Sequence, residues 1–407
     1  MHEKIMPVLL GADLTCYNIA RAFHERYGVR SHAFGRYRIG VTSNTRILDF
    51  TVVPDLDDPE SAKSMLLEFA KAHSDKIMIA FGCTDAYVEL LAKLKPELSE
   101  YYIVPYTDYH LIKRLTDKSR FYELCRRMGI PFPATHVITP EDKPEIPFRP
   151  PVVIKPAVSA EYWKHEFEGM KKVYVAETVE EALGIISKIR AAGYPENIIV
   201  QDRIPGDDSH MYVLTAYCDR NAKVRMMCLG HVLLEEHTPK GLGNHAAIIT
   251  ESNPQLCDRL RSLLEEVGFT GYANFDIKYD SRDDTFRVFE INVRLGRSNY
   301  YVTAAGNNVA EYIVRDYLEG GFTDADGCKI SERDIYWRYI PDCIVYKYST
   351  PELASRVRML KKCGRAYSSL RYGPDLKGNI KRRVYVWLHE KRHIGKFKKY
   401  YKIPEKN

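Results

Sequence analysis

The chain has 407 residues, 45% hydrophobic and 28% charged, the balance of a globular protein with two or three domains. It has no apolar run of the roughly 18 residues that a membrane-spanning helix needs, its N-terminus lacks the pattern of a secretory signal, and nine cysteines without a C-x-x-C pair fit reduced cytoplasmic thiols better than disulfides or structural zinc. The net charge of +6 is split: residues 331–407 hold 20 Lys and Arg against 7 Asp and Glu, while the first 330 residues hold 40 against 47, so a basic tail that suits an anionic partner follows an acidic body.

Residues 6–11 (MPVLLG) read as a buried strand, followed by a helix through Ala20, Ala22, Phe23 and Tyr27. Asp57-Asp58-Pro59 opens a helix with an apolar stripe at Met65, Leu66, Phe69 and Ala70. A strand at 76–81 and a helix through Tyr87, Leu90, Leu91 and Leu94 come next. Strands alternating with helices predict a parallel sheet, hence a Rossmann-like α/β unit over 1–110. Gly11-Ala12-Asp13 follows the first strand, where such sheets bind ligands, but no G-x-G-x-x-G is present.

A helix over 119–128 stops at Gly129, with Pro131 and Pro133 beyond. The pattern then becomes α+β. Strands are predicted at 152–155, 173–176, 198–202, 211–217 and 224–234, a helix after a Thr178/Glu181 capping box, and another over 254–268. Residues 273–279 and 285–292 form a predicted hairpin. Residues 235–245 (EEHTPKGLGNH) read as a flexible loop offering Lys240 and His245. In the tail, 344–348 and 384–388 could be strands.

The hairpin carries the densest chemistry. Residues i and i+2 of a strand share a face, so Glu290 and Asn292 point the same way, and the hairpin turn brings Asp276 alongside. Three oxygen donors suit a hard cation, Mg²⁺ before others, and Arg294 and Arg297 just beyond suit metal-bound phosphate. The plain alternative is the polar outer face of an amphipathic hairpin. Lys155 ends a β-branched run, and Lys118 stands at a helix start, where a cation is unfavourable unless an anion is near. Gln201 and Asp202 run into the turn Arg203-Ile204-Pro205-Gly206-Asp207-Asp208, whose free backbone groups and carboxylate could hold an adenine edge and a ribose diol.

In this order the residues resemble the ATP-grasp superfamily over about 110–320. The stretches LLGADLTCYNIARAFHERYG, GCTDAYVELL (82–91), LTDKSRFYELC (115–125), VIKPAVSAEYW (153–163) and VFEINVRLGRSNYY (288–301) are similar to the D-aspartate ligase branch of its carboxylate–amine ligases. The resemblance implies a Rossmann-like domain (1–110), two ATP-grasp α+β subdomains (111–205 with the lid, 206–325 with the metal site) and a basic C-terminal extension (326–407). It implies that Lys118, Lys155 and Ser159 hold the ATP phosphates, that Gln201 and the backbone at Ile204 read adenine, and that Asp208 holds the ribose. Asp276, Glu290 and Asn292 would bind two Mg²⁺ ions, with Mn²⁺ a substitute. Arg294, Arg297 and Lys240 would serve catalysis, and Asp13, Ser298 and His245 the substrates. The lid, 157–170, has a single glycine where the superfamily is glycine-rich, with Lys171-Lys172 as alternative phosphate contacts. D-Alanine–D-alanine ligases carry an arginine where this chain has Asn274.

The implied reaction joins an amino-acid carboxylate to an amine through an acyl phosphate, with ADP and phosphate released. In the branch resembled, D-aspartate is attached to the lysine of a peptidoglycan precursor. Residues 381–402, nine Lys/Arg among Trp387, Leu388, Ile394, Phe397, Tyr400 and Tyr401, would suit peripheral docking at the inner face of an anionic membrane, or else form the solvated face of a packed subdomain. A homo-oligomer is compatible with the sequence. A nucleic-acid-binding protein is the rival reading, but it leaves Asp276, Glu290 and Asn292 without a purpose.

Overall fold

The computed structural model describes residues 1–239 and 241–401. They form two compact units, the first from residues 1–109, 207–274 and the described residues from 292 on, the second from 110–206 and 275–291.

In the first unit, β1 (Ile5–Leu10), β2 (Ser31–Gly35), β3 (Leu48–Val52), β4 (Ile77–Gly82) and β5 (Tyr102–Ile103) make a parallel sheet in the order β3-β2-β1-β4-β5. Its crossovers are α1 (Leu14–Tyr27), α2 (Pro59–Ala72) and α3 (Asp85–Leu98). Asp13, Asp58 and Thr84 cap these helices by accepting from backbone N–H groups. The strand order reverses between β1 and β4, the switch point of a Rossmann-like sheet. Gly11 sits there at φ +136°, and a Cβ on it would come within 2.6 Å of the Cys83 Cβ, so only glycine lets the two strand ends approach so closely.

The second unit opens within α4 (Tyr109–Thr116) and continues with α5 (Lys118–Arg127). Then come β6 (Thr135–Ile138), β7 (Val152–Pro156), α6 (Ser159–Tyr162), β8 (Tyr174–Ala176), α7 (Val179–Ala191) and β9 (Ile198–Asp202). The strands form an antiparallel sheet, β6-β9-β7-β8. Ala182, Ile186 and Ile189 of α7 share its core with Val152, Ile154 and Val200, the helical and strand periodicities meeting on one apolar face.

Back in the first unit, β10 (Met211–Cys218), β11 (Val224–Glu236) and β12 (Asn244–Glu251) pair antiparallel, and α8 (Pro254–Glu266) follows. β13 (Gly271–Asp280) starts in this unit, where the Thr215 hydroxyl donates to Asn274 Oδ1 at 3.0 Å, and continues in the second. There it is the neighbour of β14 (Thr285–Asn292). The chain then forms α9 (Tyr300–Ala304), α10 (Val309–Leu318), β15 (Lys329–Ile330), β16 (Tyr336–Arg338), α11 (Asp342–Tyr348), α12 (Pro351–Lys362), β17 (Ala366–Ser368), α13 (Gly373–Leu376) and α14 (Ile380–Tyr400). β16 extends the β10–β12 sheet from β12, and β17 extends it from β16.

Three expectations are corrected. Residues 235–245 are not one flexible loop: β11 runs to Glu236 and β12 begins at Asn244, with Glu235 opposite His245. Residues 344–348 and 384–388 are helical, within α11 and α14. Phe397 and Tyr401 are core residues, with Ile394 packed against them, and so are not part of an exposed aromatic set.

Candidate active site

In the second unit, α5, β7 and β14 bring charged groups together. Asp117 caps α5 through the N–H groups of Ser119 and Arg120, which sets Lys118 in the first turn. Its Nζ donates to Ser159 Oγ at 3.2 Å and lies 3.3 Å from Glu290 Oε1. A cation at a helix start is thus balanced by a carboxylate. Lys172 approaches the other oxygen, Oε2, at 3.9 Å. Lys155 is buried, with its Nζ 5.6 Å from the Tyr122 ring centre and 5.3 Å from that of Phe289, within cation–π range. The Tyr122 hydroxyl donates to the Phe289 carbonyl at 2.6 Å, tying α5 to β14.

These neighbours set the ionisation states. Burial pushes the Glu290 carboxyl up, but Lys118, Lys172 and Lys155 together outweigh it and hold the group well below the usual carboxylate range. Burial, then the Lys118 charge, brings Lys155 down to about 7, with Glu290 and Asp276 opposing. Gln201 is buried on β9 and donates to the Thr135 hydroxyl at 2.7 Å. Ile204 is buried nearby in sequence.

The first unit holds the other candidates. Asp208 accepts from the Glu235 N–H at 2.8 Å and lies 2.9 Å from His237 Nε2. His245, on β12, is buried 3.6 Å from Glu235, and burial holds its imidazole near 4, hence neutral at pH 7. Arg294 forms a two-point ion pair with Asp85 at 2.6 and 3.0 Å. Arg297 stands 3.4 Å from buried Glu236, over the Tyr339 ring, and its carbonyl accepts from Asn18. Burial raises Glu236, but His393 and Arg297 more than offset it and leave the carboxyl low. Asp13 caps α1, and burial raises its carboxyl against the opposing charge of Arg297. Ser298 is buried at the turn into α9, where its carbonyl accepts from the Tyr301 N–H. Lys240 lies outside the described residues.

The structure therefore gathers Lys118, Lys155, Ser159 and Glu290 in one cluster, with Asp276 close enough to act on Lys155. Asp208 and His245 share a second neighbourhood in the first unit. Asp13, Arg294 and Arg297 share a third, through the charges felt at Asp13. Motif reading missed Glu236, His237, Tyr122, His389 and His393. The last two stand at i and i+4 of α14, a spacing visible in the sequence but hidden among the basic residues of the tail.

No family model matches the sequence. The D-aspartate ligase of Enterococcus faecium (strain Aus0004) is 38% identical over 421 aligned positions, spanning 99% of this chain and 98% of that protein. The chain belongs to the D-aspartate ligase family. It is an ATP-dependent carboxylate–amine ligase. Solved structures share its ATP-grasp fold. The L-amino acid ligase from Bacillus licheniformis superposes with a TM-score of 0.57 at 14% identity, over 78% of this ligase and 75% of that chain. Phosphoribosylamine–glycine ligase from Thermotoga maritima gives 0.55 at 16% identity, over 81% and 78%. The ADP complex of N5-carboxyaminoimidazole synthetase from Staphylococcus aureus gives 0.58 at 12%, over 86% of each chain. At such identities the likeness concerns the fold alone, since one fold hosts many substrates.

Proposed function

We propose that this ligase activates the β-carboxylate of D-aspartate with ATP and joins it to the lysine ε-amine of a peptidoglycan precursor. The nucleotide half rests on one observation: the Lys118 and Lys172 ammonium groups stand 3.3 and 3.9 Å from the Glu290 carboxylate, with Lys155 acting on it electrostatically, a gathering of cations suited to polyphosphate. The D-aspartate half comes from the name of the relative that is 38% identical.

In this reading Lys118, Lys155, Ser159 and Lys172 hold the phosphates. Gln201 and the backbone at Ile204 take adenine, and Asp208 takes the ribose. Asp276, Glu290 and Asn292 hold two Mg²⁺ ions. Ionised Glu290 and its carboxylate neighbour are donors a hard cation prefers. Among the described residues no three His, Cys, Asp or Glu side chains gather into a metal site. A set of two carboxylates and an amide would leave coordination positions for phosphate oxygens. Mg²⁺, when bound, would withdraw charge from those oxygens. The substrate carboxylate attacks the γ-phosphorus and ADP leaves. Arg294, released from Asp85, and Arg297, held by Glu236, would offset charge on the acyl phosphate and on the tetrahedral adduct formed by the amine. Lys240 is assigned to catalysis with the two arginines, and Asp13, Ser298 and His245 to substrate contact. The acceptor would be lipid-linked, with the enzyme working at the inner face of an anionic membrane.

The test is phosphate release from Mg-ATP, screened over D- and L-amino acids with and without a lysine-containing stem peptide. Release should require D-aspartate and rise with the peptide; release only with another acid overturns the substrate assignment. Glu290→Gln should lower turnover by about 100-fold or more, and retained turnover would remove Glu290 from the metal set.

A further inference from the structure

We propose that the outward face of α14 is a docking surface for an anionic lipid bilayer. The helix turns Arg382, Val386, His389, His393 and Phe397 inward. On the opposite side Ile380, Val384, Trp387 and Leu388 are 75, 49, 58 and 37% exposed. Their spacing, i, i+4, i+7 and i+8, makes one continuous apolar stripe over two turns. Large side chains so exposed in a row mark an interaction surface.

The surrounding charge is of one sign. Lys381, Arg383, Lys391, Arg392, Lys398 and Lys399 are all exposed on this helix, and the Lys391 ammonium lies 5.9 Å from the Trp387 ring centre. Glu390, the one acid of the helix, is occupied by Arg371 at 2.6 and 2.7 Å. Aliphatic groups and a tryptophan bordered by cations are the composition of a helix that lies in the headgroup region. No described helix is long and apolar enough to cross a membrane, so the contact is peripheral. A nucleic acid would be matched by stacking rings, whereas this stripe is mainly aliphatic. A second copy docking by the same face would set cations against cations.

The face is held rigidly. Arg382 lies 2.9 Å from buried Asp375 and donates to the carbonyls of Val41 and Ser43 at 2.7 and 3.1 Å, so the stripe is presented without a folding step. This inference deepens the membrane-side reading of the acceptor, but its test uses no acceptor, so the two can fail separately.

The test is co-sedimentation of the full-length enzyme with vesicles of phosphatidylglycerol and phosphatidylcholine, against phosphatidylcholine alone. Binding should require the anionic lipid and weaken with salt. A cation near an anionic surface strengthens association about fivefold. Lys391→Glu with Arg392→Glu, and separately Ile380→Ser with Trp387→Ser, should each weaken binding at least about tenfold. Both double variants should keep the wild-type unfolding midpoint, because all four positions are exposed. Failure of the wild type to sediment, or equal sedimentation of wild type and folded variants, overturns the proposal. So does tighter binding to single-stranded nucleic acid, or a dimer that Trp387→Ser abolishes.

Discussion

Lys155 is a cation in a place that resists charge, buried beside the second ammonium of Lys118 and between the rings of Tyr122 and Phe289. Its pKa near 7 lies below the ordinary 10.5, so between those values the unfolded chain binds the additional proton. Stability therefore rises with pH across that window, and the cost of charging Lys155 is present in full below it. Polyphosphate favours the charged form. Nucleotide binding at pH 8 should therefore take up a proton, and affinity should fall as pH rises through about 7. Calorimetry in buffers of different ionisation enthalpy measures the uptake; Lys155→Met should abolish it, and equal heats in all buffers for the wild type would contradict it. The charge at the end of a β-branched run was legible in the sequence. The two rings were not, because Tyr122 and Phe289 stand far apart in the chain and meet only when α5, β7 and β14 pack. His245 shows the converse: sequence made it a loop contact, whereas pairing of β11 with β12 buries it as a neutral imidazole.

Among elements, α14 shows how a pattern can mislead. Val384 and Val386 alternate with polar and aromatic residues, as a strand would, but its inward positions at 382, 386, 389, 393 and 397 follow a helical period. The outward apolar stripe fills the gaps between them and obscures that period. A helix that buries Arg382, His389 and His393 while exposing an apolar stripe has no clear moment to read. Its anchor is the Arg382–Asp375 pair, both fully buried, with Tyr17 and Thr45 also donating to Asp375 at 2.8 Å. Breaking a buried pair strands the remaining charge. Asp375→Ala should cost about 3–5 kcal/mol of unfolding free energy, measured by denaturant titration. A loss under about 1 kcal/mol, the range of an exposed pair, would contradict it.

For the molecule as a whole, folding redistributes what the net charge of +6 conceals. The described residues of the basic C-terminal segment belong to the same compact unit as the parallel sheet. There β16 and β17 extend the β10–β12 sheet, and α14 contributes His393 beside Glu236 and Arg297. A ligand that binds only the folded state stabilises it, by about 2.7 kcal/mol at a hundred times its Kd. Mg-ATP should raise the unfolding free energy by that amount. The magnesium-dependent part should vanish in Glu290→Gln and persist in Trp387→Ser, read by denaturant titration with and without Mg²⁺; its persistence in Glu290→Gln would contradict the metal assignment. The sequence by itself determined the alternating strands and helices, the hairpin bearing Asp276 and Glu290, and the family resemblance, because these depend on residues close together in the chain. Only the tertiary structure decided which lysines meet Glu290, that Asp208 faces His237, that β12 buries His245 and which side of α14 is left to solvent. Each of these contacts joins distant segments, and local periodicity carries no information about which distant face an element will meet.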